Sequence, residues 1–205
     1  MNPQTWWHLS RASGMVAGVL LICSLIWGVL LSTRALKPAD RPAWLLDMHR
    51  WLAGLAVAAT AVHLAALVAD NYIHFGVKEL LVPMASPRKT GAVALGIIAF
   101  YLMVLVQVTS LMMKRLPKRL WRAIHYTSYA MVWFVLVHGA LAGTDATNRV
   151  YQAVAFVLTI AAVTAATLRI NIGRSTVSDR PRSAIPTRKE ASPDERLDRS
   201  RPVHR

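Results

Sequence analysis

The sequence predicts an all-α polytopic membrane helix bundle of about five transmembrane helices, followed by a disordered basic tail. Three observations predict it. The 205 residues are 55% hydrophobic and only 17% charged, where an ordinary soluble domain carries about 25% charged residues. The apolar residues arrive in long runs, and about 20 such residues of helix cross the roughly 30 Å of membrane hydrocarbon. The charges are lopsided, 24 Lys and Arg against 10 Asp and Glu for a net +14, and they lie mostly outside those runs, as they do when the apolar segments sit in lipid. The same runs argue against a soluble nucleic-acid binder. A single cysteine, Cys23, excludes an internal disulfide framework and any multi-cysteine zinc or iron–sulfur site.

The first run, residues 13–32, carries no charge. It is longer than the apolar stretch of about 7–15 residues in a signal peptide and lacks a strongly basic leader, so it reads as a span. The second covers residues 44–68, with Asp47, His49 and Arg50 at its entrance and His63 deeper in. The third is residues 91–113. The fourth, residues 120–142, has Arg122 at its entrance, and the fifth is residues 150–168. Strand signals are weak, and no Gly-rich dinucleotide or Walker-type phosphate motif is present.

Five spans put the two termini on opposite sides. Arg34, Lys37, Arg41, Lys114, Arg115, Lys118 and Arg119 lie on one side, against Arg11, Lys78, Arg88, Lys89 and Arg149 on the other. Arg169 and Arg174 strengthen the first group. The positive-inside rule then predicts a multi-pass protein of the cell (inner) membrane with its N-terminus outside and its C-terminus cytoplasmic. From residue 171 onward Arg, Lys, Ser, Asp and Pro dominate, too few apolar groups to bury a core. Residues 1–170 are therefore read as the membrane domain and 171–205 as a disordered cytoplasmic tail. The tail serves as a topology anchor or, in a sharper role, as a contact for anionic lipid or an acidic partner.

An ionisable group inside the bilayer is expensive and so marks function by default. Four of the seven histidines lie in predicted spans: His49 and His63 in the second, His125 and His138 in the fourth. At about 1.5 Å rise per residue, each pair is separated by roughly 20 Å along its helix. Both helices run in the same direction, so His49 and His125 share one depth near the inner face, and His63 and His138 share another towards the outer face. Two layers of paired imidazoles suit bis-histidine ligation of heme iron, one ring on each side of a porphyrin. Zinc would need four ligands converging on one point, which separated layers cannot supply. Helical phase agrees for His49 and His63. It puts His125 and His138 about 140° apart, which tilt, local unwinding or different approach directions must resolve.

Arg50, Arg122 and Lys118 lie near the inner layer, as partners for carboxylate substituents of a cofactor or as plain interfacial anchors. Small residues such as Ala53, Gly54, Gly139 and Gly143 suit either the close approach of a macrocycle or ordinary helix packing. Trp44, Trp51, Trp121 and Trp133 read as belt or packing residues. His8 and His74 are expected outside the spans, and His204 in the tail has no role. Cys23 reads as a buried small hydrophobe, and Met112 and Met113 as lipid-facing.

The segments His49-Arg50-Trp51-Leu52-Ala53-Gly54-Leu55 leading to His63, and Trp121-Arg122-Ala123-Ile124-His125-Tyr126 leading to His138, resemble the ferric reductase-like transmembrane domain family over roughly residues 10–170. The resemblance implies two heme b groups, held by His49 with His125 and by His63 with His138. It also implies tolerance of the off-phase second pair. Many members have six spans, against five here. The short stand-alone form is similar to the heme-binding membrane subunit of the bacterial methionine sulfoxide reductase system. Larger members continue into flavin- and nicotinamide-binding domains. Here a charged tail follows instead, so electrons are expected from a separate flavin/NAD(P)H reductase or from quinol, with a quinone or flavin bound only transiently.

The leading expectation is a di-heme membrane oxidoreductase component relaying single electrons to an acceptor such as ferric iron or a periplasmic or extracellular protein. No general acid, nucleophile or substrate pocket can be named. The alternatives are a quinone-linked b-type cytochrome subunit of another complex and a non-redox transporter or scaffold using the histidines for proton movement or packing. The transporter reading lacks deep carboxylates and matched broken helices.

Overall fold

A computed structural model describes residues 4–37, 41–70, 76–143 and 147–178. Among them every regular element is helical: α1 (Gln4–Thr33), α2 (Pro42–Ala69), α3 (Val77–Leu81), α4 (Thr90–Leu111), α5 (Lys118–Ala142) and α6 (Arg149–Ser178). The membrane-bundle expectation holds. α1, α2, α4 and Arg149–Ile172 of α6 are each long and apolar enough to cross a membrane. α5 is as long but less apolar, because Lys118, Arg119 and Arg122 open it and His125, Tyr126, Thr127, Ser128 and Tyr129 follow.

Local chemistry sets the ends. Pro42 occupies the first turn of α2, where its missing N–H costs nothing. The Asn148 side chain accepts the backbone N–H of Val150 at 2.9 Å and of Tyr151 at 3.3 Å, capping the start of α6. Lys89 precedes α4 in the left-handed region, φ 45°. Its Nζ donates to the carbonyls of Leu141 and Ala142, so the start of α4 caps the end of α5.

Two helices outrun their apolar runs. α1 begins at Gln4, nine residues before the charge-free run (13 − 4 = 9). Arg11 is accommodated there by lying 4.1 Å over the Trp7 ring. His8 therefore sits within α1, exposed, with its ring edge-on to Trp7, rather than before the helix. α6 continues through residues 171–178, the start of the expected tail, since no proline interrupts the chain before Pro181. The rest of that tail, with His204, and His74 lie outside the described residues. The short α3 was not expected from the sequence; it is tied down by the Tyr101 hydroxyl, which donates to the Leu81 carbonyl at 2.6 Å.

The helices pack as two hairpins, α1 against α2 and α4 against α5, with α1 also touching α6 and α5. α2 and α5 are not closely packed on each other. The core is Leu21, Ile22, Ala56, Ala99, Met103, Met131, Val132 and Ala162. Ala56 lies midway along α2 between His49 and His63, and Met131 and Val132 midway along α5 between His125 and His138. Large apolar side chains such as Trp51, Val108, Phe156 and Val157 face outward, which suits lipid rather than water.

Candidate functional site

The histidines lie on α2 and α5, the helices that face one another across a gap. His49 and His125 approach from opposite sides with ring centroids 6.1 Å apart and planes at 68°. Two imidazoles gripping one metal hold their centroids roughly 6 Å apart, given a metal–nitrogen bond of about 2 Å and about 1 Å more to each ring centre. His63 and His138 line one cavity of about 770 Å³, within the roughly 300–1,000 Å³ range of cofactor sites. Among the described residues no three His, Cys, Asp or Glu side chains gather where they could hold one metal ion. The imidazoles come as couples, not as a tetrahedral cluster.

Each histidine on α2 is held by α1, and each on α5 by α4. Nδ1 of His63 donates to the Ser10 carbonyl at 2.6 Å, and Nδ1 of His49 to the Ser24 carbonyl at 2.9 Å, with the Ser24 hydroxyl at 3.2 Å. Nδ1 of His138 donates to the Ala92 carbonyl at 2.7 Å. Nδ1 of His125 faces the Ser110 hydroxyl at 3.4 Å, and its ring is stacked on Trp121 at 5.1 Å. A proton fixed on Nδ1 by a carbonyl leaves the Nε2 lone pair for a metal, the arrangement that orients ligand imidazoles and raises their basicity. The phase problem on α5 is resolved without unwinding. The helix is continuous from Lys118 to Ala142, and its two rings leave in different directions to reach α4 near opposite ends.

The sequence missed these carbonyl partners because a backbone acceptor has no residue signature. One signal was legible: Ser10 and Ser24 share the fourteen-residue spacing of His49 and His63 on the antiparallel neighbour (24 − 10 = 63 − 49 = 14).

The cations near the His49–His125 layer lie at the surface. Arg50 is exposed and lies 3.7 Å from Asp47 in a surface ion pair; Arg122 and Lys118 are also exposed. At the other layer, Arg11, Arg88 and Lys89 line the cavity together with Trp7 and Tyr151. In the sequence those three read only as topology charges. The Tyr151 hydroxyl donates to the Gly139 carbonyl at 2.9 Å, joining α6 to the turn that carries His138. Trp121 packs on a histidine, whereas Trp44, Trp51 and Trp133 are exposed. Cys23 is half-buried, and Met112 and Met113 are exposed at the end of α4.

A family model described as ferric reductase like transmembrane component matches residues 13–137, more than half of the chain. It spans His49, His63 and His125 and stops one residue short of His138. Comparison with curated proteins and with solved structures gives no match.

Proposed function

Because the chain belongs to the ferric reductase-like transmembrane family, we propose that this membrane electron-transfer component is a di-heme b-type cytochrome relaying single electrons across the bilayer. The observation that carries the proposal is the His49–His125 couple. Two helices that do not pack together bring imidazoles to 6.1 Å. The fit extends to the second couple, where a cavity of about 770 Å³ opens between His63 and His138.

In this reading His49 and His125 hold one heme b, and His63 and His138 the other. When bound, each heme supplies a one-electron iron couple at its own depth. The protein does the rest. The Ser10, Ser24 and Ala92 carbonyls retain the Nδ1 protons and so keep each Nε2 unprotonated. Leu21, Ile22, Ala56, Ala99, Met103, Met131 and Val132 fill the space between the layers and exclude water from it. Arg11 and Arg88 stand where they would neutralise carboxylate substituents at the His63–His138 layer. Arg50 and Arg122 do the same at the edge of the His49–His125 layer.

The proposal includes α5 as a fifth span, the N-terminus outside and the C-terminus cytoplasmic in a cell membrane. Electrons arrive from a separate flavin reductase or quinol and leave to ferric iron or a partner protein. Vesicles test it. Protein reconstituted with heme should let dithionite outside reduce ferricyanide trapped inside, and His49→Ala should abolish the transfer. A colourless, electrically silent protein would refute the reading and favour a transporter or scaffold.

A further inference from the structure

Three of the four histidines are seated in the same way. The carbonyl of residue i accepts the ring Nδ1–H, and residue i+4 of that helix is glycine: Ser10 with Gly14 for His63, Ser24 with Gly28 for His49, Ala92 with Gly96 for His138. A methyl group at Gly14 would lie 2.9 Å from His63 Nδ1 and 3.0 Å from its Cε1. At Gly96 it would meet His138 Nδ1 at 2.7 Å and Cε1 at 2.8 Å; at Gly28 it would meet His49 Cε1 at 3.2 Å. The struck atoms belong to a ring already pinned by its hydrogen bond. It cannot swing aside without breaking that bond. No other described glycine faces an imidazole: a methyl would meet nothing within 4 Å at Gly91, only Val135 at 3.8 Å at Gly18, the Glu79 carboxylate at Gly76, and the Gly139 carbonyl and Tyr151 hydroxyl at Gly143.

We propose that Gly14, Gly28 and Gly96 are positioning residues, each an empty notch that seats one ligand imidazole against a neighbouring helix, and that His125 is the one ligand without a notch. This rests on the di-heme reading for its consequence, though the seats themselves are contacts between side chain and helix. His125 has the longer 3.4 Å contact to a movable hydroxyl and the Trp121 face instead. The His63–His138 couple is therefore notched on both sides and the His49–His125 couple on one only. A position that must be glycine is costly inside a helix, where alanine is the better former. Glycine at all three seats is thus explained by ring clearance rather than by helix stability.

The test uses the full chain with Gly14→Ala, Gly28→Ala, Gly96→Ala and, as the size-matched control, Gly91→Ala. Heme content and the low-spin electron paramagnetic resonance signals are measured on each. Gly14→Ala and Gly96→Ala should each lose or shift to high spin the same one of the two hemes. Gly28→Ala, with the widest clearance, should keep both hemes and shift the low-spin signal of the other. Gly91→Ala should match the parent. Seat variants that match the parent in every signal would overturn the proposal, as would a Gly91→Ala loss equal to theirs.

A double variant covers the case in which a seat variant folds poorly. Thermal unfolding of Gly14→Ala/His63→Ala should be no worse than that of His63→Ala alone, because the alanine then has no ring to strike. A cost of Gly14→Ala that persists without the ring would overturn the notch. This comparison needs no heme, so a parent found to lack heme ends the electron-transfer reading while the unfolding result still decides the seats.

Discussion

Nδ1 of His63 donates to the Ser10 carbonyl at 2.6 Å, and fourteen residues away along both helices Nδ1 of His49 repeats the bond to Ser24 at 2.9 Å. Antiparallel packing of α1 and α2 makes this repeat possible, since matching steps along the two helices return to the same interface. One helical hairpin thus fixes the depth and tautomer of two imidazoles.

Under the proposed pairing, His63→Ala and His138→Ala should remove the same heme spectrum, and His49→Ala and His125→Ala the other. The double variant His63→Ala/His138→Ala should lose no more heme than either single variant, as strongly coupled neighbours do. Difference spectra of the four single variants and this double variant check the pairing.

Three of the four imidazoles are held by a backbone carbonyl and one by a side-chain hydroxyl, so serine substitutions should divide. Ser10→Ala leaves the carbonyl in place and should leave both hemes intact. Ser110→Ala removes the hydroxyl that faces His125 Nδ1 at 3.4 Å. It should weaken retention of the His49–His125 heme by roughly 10-fold, the lower end for loss of a ligand's outer partner. Heme release to apomyoglobin measures this.

Ala56 has no exposed surface and sits between the layers. Ala56→Leu should overpack that contact and cost about 1–3 kcal/mol. Thermal melts in detergent should show this loss, with the heme spectrum at room temperature unchanged.

Lys89 combines a left-handed backbone with a cap on α5. Lys89→Gly relieves the first and removes the second, so the two effects oppose. Lys89→Met removes the cap alone and should cost under about 1 kcal/mol. The glycine variant should melt above the methionine variant.

Much of this architecture was legible because lipid imposes simple rules. The run containing residues 13–32 had to be helical and long, and α1 contains it. The histidines stood out because the deep parts of their spans carry little else that ionises. What stayed hidden has physical causes. The extensions of α1 back to Gln4 and of α6 on to Ser178 follow from the lack of a proline within them rather than from hydropathy. The cavity cations Arg11 and Arg88 come from a helix start and a loop that tertiary packing alone brings beside His63 and His138. The Ser10, Ser24 and Ala92 carbonyls are backbone atoms, invisible to residue type. Gly14, Gly28 and Gly96 carry no signal of their own in the sequence, because what sets them apart is a ring supplied by a neighbouring helix.

The proposed electron path depends on two imidazole couples, each holding one heme. The most direct measurement is the heme-to-protein ratio of the purified full chain by pyridine hemochrome, paired with low-temperature electron paramagnetic resonance of the oxidised protein. Two hemes b per chain are expected, both low-spin with bis-imidazole signatures. A ratio of one, or a high-spin heme with a single imidazole ligand, would contradict that pairing.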